Sequence, residues 1–117
     1  MEIFAVSTMP DSYVRYAASV AADLLDNNND GLVDDPLVCA RLKETGVITP
    51  LFKNDNDPAL DTLFDHYDLD IAILFKSEID PDNPGYFQKD AAVEEIVHNI
   101  NCMIIIYNIR FIIFLKI

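Results

Sequence analysis

The chain has 117 residues, about half of them hydrophobic, with twenty acidic against eight basic side chains and a net charge of −12. That length holds at most one domain with a modest core, and the apolar share argues against global disorder. The charge argues against a nucleic-acid backbone or an anionic membrane surface as partner and favours divalent cations or basic surfaces.

In chain order, Ile3–Val6 is a short β-branched and aromatic run that predicts a strand. Pro10-Asp11-Ser12 supplies a break and a cap. From Tyr13 to Leu25 a helix is predicted, with Tyr13, Tyr16, Ala17, Val20, Ala21 and Leu24 at i, i+3, i+4 spacing. Val14, Ala18 and Leu25 widen its apolar stripe, so packing on more than one side is expected. An acidic loop follows at once. Asp35 then caps a second helix, with Pro36 at its first position, Arg41 and Lys43 toward its C-terminal end and Gly46 as terminator. Val47–Phe52 reads as a strand in which Pro50 favours a sheet edge. Asn54–Pro58 is a turn and Ala59–His66 a short helix. Ile71–Phe75 is a continuous apolar run suited to a strand covered on both faces. Asp80–Gly85 is a loop. A last helix is expected from near Gln88, with Val93, Ile96, Val97, Ile100 and Ile104 as its apolar stripe. Strands interleaved with helices predict a small α/β or α+β layer domain over residues 1–102.

Residues 103–117 differ in kind. Seven of the fifteen are isoleucine, with Arg110 and Lys116 the only charges, while residues 1–102 carry a net of −14. The segment is too short, and too interrupted by Asn108 and Arg110, to span a membrane. Its residue set is that of AT-rich codons, which suggests translated non-coding sequence and a chain that is a fragment; a genuine apolar helix end or edge strand is the alternative. No signal peptide is visible, since Met1 is followed by Glu2 rather than a basic and then apolar run; an incomplete N-terminus would leave an extracellular location open. Cys39 and Cys102 permit one disulfide but no framework, and free buried thiols are expected.

The chemistry is concentrated in residues 26–35, Asp-Asn-Asn-Asn-Asp-Gly-Leu-Val-Asp-Asp. Asp26, Asn28 and Asp30 place side-chain oxygens at alternate positions, and Gly31 permits a sharp turn. Leu32 offers a backbone carbonyl, and Asp34 reaches a cation directly or through water, with Val33 free to tuck beneath the loop. The spacing Asp26-x-Asn28-x-Asp30-Gly31-x-Val33-Asp34, set between two helices, resembles the EF-hand-like loops of dockerins and other extracellular calcium modules. The resemblance covers about ten residues and their flanking helices, and it implies Ca²⁺-dependent structure rather than catalysis. It departs from the pattern at the twelfth position, where Leu37 stands in place of an acidic ligand, and no second repeat is present, so cohesin binding does not carry over. Without the bidentate carboxylate, which supplies two of about 6–8 oxygens, an affinity near ~10⁻⁴–10⁻³ M is expected, with water, Asp35 or a remote carboxylate completing the shell.

A second constellation lies on the last helix, where Glu94, His98 and Cys102 follow one another at i, i+4, i+8, with Glu95 adjacent and His66 and Glu78 as remote partners. Adjacent members of that row have the spacing of helical zinc ligands, so a truncated zinc enzyme is the alternative function. The bland reading is an exposed i, i+4 pair. Asp55, Asp57, Asp80 and Asp82 repeat the acidic spacing without a suitably placed glycine and read as solvated turns. No phosphate loop or serine nucleophile motif is present.

Overall fold

The computed structural model describes residues 1–66, 71–79, 81–82 and 91–100. Three parallel strands form one sheet in the order β1-β2-β3: β1 is Glu2–Ala5, β2 Ile48–Phe52 and β3 Leu74–Phe75. Helices α1 (Asp11–Leu25) and α2 (Pro36–Thr45) connect β1 to β2, and α3 (Ala59–His66) connects β2 to β3. A fourth helix, α4, covers residues 92–100. The domain is therefore α/β, with the strand and helix alternation anticipated from the sequence.

Side-chain alternation along β2 divides the molecule into two layers of core. Val47 and Leu51 point to one face, where they meet Ala17, Val20 and Ala21 of α1, Leu42 of α2, and Ala92, Ile96 and Ile100 of α4. Ile48 and Phe52 point to the other, where they meet Leu60 and Leu63 of α3. Covered on both sides, all five residues of β2 are buried. Consecutive parallel strands joined across opposite faces require connections of opposite hand. One of the two thus departs from the right-handed preference that holds in ~98% of such units.

The sheet's central strand is the one that carries proline. Pro50 pointed to an edge, yet β2 pairs with β1 from Glu2↔Ile48 to Ala5↔Leu51 and with β3 at Leu51↔Leu74 and Phe52↔Phe75. The phase of the ladder explains how. Glu2 N–H donates to Val47 O at 2.8 Å and Val6 N–H to Leu51 O at 3.2 Å. Residues 47, 49 and 51 therefore turn their peptide groups to β1, and Pro50 turns its missing N–H toward β3. On that side the register would set Ala72 opposite Thr49, and here the ladder has stopped.

Asn99 of α4 takes over at that point. Its Oδ1 accepts from Ala72 N–H at 2.8 Å, and its Nδ2 donates to Ala72 O at 2.9 Å and to Thr49 Oγ1 at 3.0 Å. Thr49 and Asn99 are both buried, and no buried side-chain N or O among the described residues lacks a partner. This is why the expected strand Ile71–Phe75 shrinks to Leu74–Phe75. Its first residues still pack, with Ile71 and Ile73 against the α3-side core, but the Ala72 peptide groups bond to a side chain instead of a strand.

Two helix expectations also change in detail. α1 begins at Asp11, with Pro10 in the cap position and no side-chain cap, rather than at Tyr13 behind a capping Ser12 or Asp11. Proline's fixed φ lets the helix start directly after it. On α4 the buried face is Ala92, Ile96, Asn99 and Ile100, while Val93 is 43% exposed; the polar Asn99 takes the place that a purely apolar stripe assigned to Val93. At α2 the expected signals hold: the Asp35 carboxylate accepts from Leu37 and Val38 N–H, Pro36 opens the helix, and Gly46 ends it in the left-handed conformation. The start of the last helix near Gln88, most of the 80–85 loop, Ile104, Cys102 and the 103–117 tail lie outside the described residues.

Replacing Asn99 by leucine orphans both peptide groups of Ala72 and is expected to cost about 2–4 kcal/mol in urea unfolding. Asn99→Asp keeps the acceptor and loses both donor bonds, so it should also destabilise. A loss below about 0.5 kcal/mol in Asn99→Leu would show that the bridge does not hold the sheet edge.

Candidate functional site

The acidic loop leaves α1 at Asp26 and enters α2 at Asp35, so its two ends are fixed by helices whose apolar faces sit in the same core. Asp26 is drawn into the turn: its Oδ1 accepts from Asp30 N–H at 3.2 Å and its Oδ2 from Gly31 N–H at 2.8 Å. Asn28 Oδ1 accepts from the same Asp30 N–H at 2.9 Å, and Asn28 Nδ2 donates to Asp30 Oδ2 at 3.2 Å. Asp30 Oδ1 then accepts from Leu32 N–H at 2.8 Å. Each acidic or amide side chain thus bends the backbone that follows it, the local turn chemistry for which Asp and Asn are favoured.

Two left-handed residues make that curvature possible. Asn29 has φ 56° and Gly31 φ 84°; asparagine and glycine are the residues that adopt this region most readily. The loop is closed at its far end by Asp34. Its N–H donates to Leu25 O at 2.9 Å, and its Oδ2 accepts from the backbone N–H and Nδ2 of Asn27 at 2.8 and 2.9 Å. Asn27 and Asn29 were not singled out as contributors by spacing alone, because their roles are conformational and need no ligand position.

The anticipated members of the site, Asp26, Asn28, Asp30, Leu32 and Asp34, therefore share one hydrogen-bonded loop. Yet among the described residues no group of three or more His, Cys, Asp or Glu side chains is arranged to hold a metal ion. The carboxylates bond to their own backbone and to the asparagines between them. Val33 does not tuck beneath the loop; it is 40% exposed, with Leu32 at 71% and Leu37 at 65%. Every residue from Asn27 to Leu37 is exposed, because the loop projects past the core. Asp35, one of the proposed replacements for the missing acidic ligand, serves as the cap of α2.

Of the helical row on α4, Glu94 and His98 lie within the described residues and Cys102 outside them. His98 Nδ1 lies 3.9 Å from Glu95 Oε2, and both Glu94 and His98 are exposed. The two remote partners are engaged locally: His66 Nδ1–H donates to Thr62 O at 2.8 Å, and Glu78 Oε2 accepts from Phe75 N–H at 3.0 Å. Burial lifts the Glu95 carboxyl above the usual carboxylate range; His98 pulls it back, while Glu94 and Glu78 push it further up. Cys39 is a free, partly buried thiol. No helix among the described residues is long and apolar enough to cross a membrane.

No protein-family model, no curated protein and no solved structure matches this chain.

Gly31→Ala isolates the backbone strain of the loop, since nothing lies within 4 Å of the position its Cβ would take. Left-handed φ alone should then cost about 1–2 kcal/mol, and Gly31→Asn less, read as melting temperatures. A neutral Gly31→Ala would mean that the turn relaxes freely. For Glu95, a raised folded-state pKa contributes stability below the unfolded value and loses it as pH rises through the elevated one. Glu95→Gln should therefore gain stability on the wild type as pH rises from about 4 to about 7, followed by chemical unfolding. A difference between the two that stays constant with pH would exclude the shift.

Proposed function

We propose that residues 26–34 form a single EF-hand-like Ca²⁺ loop whose ion is structural: it neutralises the loop carboxylates and fixes the angle between α1 and α2. The observation that carries the reading is the folding of Asp26 back onto the Asp30 and Gly31 amides, with Asn29 and Gly31 left-handed. This arrangement wraps the oxygen-bearing side chains around one tight turn, and the two flanking helices anchor it in the core.

The same hydrogen bonds support weak affinity. Both Asp30 oxygens accept, from Asn28 Nδ2 and Leu32 N–H, and Asp34 Oδ2 accepts twice from Asn27, so an ion competes with these donors for lone pairs. Leu37 supplies no carboxylate at the twelfth position, and Asp35 is held by the first turn of α2. Water completes the shell. A loop that pays these costs works at the millimolar calcium of extracellular modules, not as a submicromolar switch.

Calorimetric melting of the full chain with 10 mM Ca²⁺ and with chelator tests this. With a dissociation constant of ~10⁻⁴–10⁻³ M, 10 mM calcium should stabilise the fold by roughly 1.4–2.7 kcal/mol, a rise of roughly 5–15 °C for a domain of this size. The rise should vanish in an Asp26→Ala, Asp30→Ala double variant. An unchanged melting temperature at millimolar calcium refutes the reading.

A further inference from the structure

We propose that the C-terminal end of the sheet, between the loops that leave β1 and β2, is a binding site for a small organic anion with an apolar body, such as an aryl or alkyl carboxylate. The location follows from topology. β1 sends its chain to α1 on one face, and its neighbour β2 sends its chain to α3 on the other. Adjacent parallel strands whose connections leave to opposite faces open a crevice beyond their carboxyl ends, which is where open α/β sheets bind ligands.

Two joined cavities occupy that place, sharing Val6 and Ala59 in their walls. One, of about 590 Å³, is apolar. It lies between α3 and edge strand β1, with Phe4, Phe52 and Leu63 as its main surfaces and Thr62 and His66 at its rim. It exists because α3 packs over β2 and the residues leading into β3, leaving Phe4 on β1 37% exposed. A volume of this size suits a ligand of one or two rings.

The second, of about 610 Å³, has more polar residues in its walls and lies between the two loops, with Ser7 and Thr8 on one side and Lys53, Asn54, Asn56 and Asp57 on the other. Two of its acceptors are turned to the backbone: Asn54 Oδ1 accepts from Asn56 N–H at 3.1 Å, and Asp57 Oδ1 from Ala59 N–H at 3.0 Å. The Asn56 amide donates to Asp55 at 2.9 Å. Donors come from the Ser7 and Thr8 hydroxyls and from Lys53, which has no ion-pair partner among the described residues. An apolar slot continuous with a mouth that holds an ammonium and two hydroxyls fits an apolar body carrying an anionic head. Lys53 also offsets Asp57 in the walls of this mouth.

Three naphthalene probes that differ only in their head group test the site on the ¹⁵N-labelled full chain: 2-naphthoate, 2-naphthylmethanol and 2-naphthylmethylammonium. Naphthoate should give saturable amide shifts confined to residues 4–8, 52–59 and 62–66. Lys53→Gln should weaken naphthoate roughly fivefold and leave naphthylmethanol unchanged. Phe4→Ala, at a position 37% exposed and outside both core clusters, should weaken both. The proposal fails if naphthoate does not saturate by about 5 mM, if the ammonium probe binds more tightly than the carboxylate, or if the shifts centre on the exposed Leu32, Val33 and Leu37 patch.

Discussion

The carboxamide of Asn99 is the point on which the sheet turns. A proline in the central strand removes a donor where a parallel ladder needs one, and Ala72, which the register sets opposite the neighbouring Thr49, would be left with both peptide groups unpaired. Asn99 satisfies both, and its second N–H reaches Thr49. One side chain therefore ends β3, ties α4 to the sheet and makes Pro50 tolerable at the centre. A buried network of this kind stabilises only when every member is paired, and here the Thr49 hydroxyl also donates onward, to Met1 Sδ at 3.7 Å.

The two-faced layering follows from the same strand. With β2 buried on both sides, α1, α2 and α4 share one layer and, among the described residues, α3 has the other to itself. A single eight-residue helix is too small to cover three strands. The part of the sheet it leaves bare is edge strand β1, and the apolar groove at Phe4 is the direct result. The crevice is thus a product of unequal coverage, and it adjoins the strand ends where connecting loops bring polar groups together.

Local signals carried the helices well. Asp35, Pro36 and Gly46 act within one turn of their own position, so α2 could be bounded from sequence, and the short helix expected at Ala59–His66 is found there. The strands were harder because their character is set by partners. Ile71–Phe75 is the more apolar run, yet it yields two paired residues; Val47–Phe52 contains a proline and becomes the buried centre. What decides between them is an asparagine some fifty residues from Thr49, and no periodicity in either segment encodes that contact. The crevice was invisible for the same reason: Ser7, Thr8 and Lys53 are ordinary loop residues until topology sets them opposite one another.

The acidic loop poses the reverse problem, since its residues were plain in the sequence while its state depends on charge. Asp26, Asp30 and Asp34 lie within nine residues of a chain that already carries −12, and Asp35 adds a fourth carboxylate at the entrance to α2. Backbone amides and asparagine side chains offset part of that repulsion, which explains why the asparagines at 27, 28 and 29 are interleaved with the acids rather than replaced by more of them. Were all of these positions acidic, the loop would bind a cation more strongly but would have too few donors to close without one. The observed mixture gives a turn that closes on its own hydrogen bonds. On the Ca²⁺ role proposed above, a loop built that way would tune the stability of the α1–α2 pair without making the fold depend on the ion.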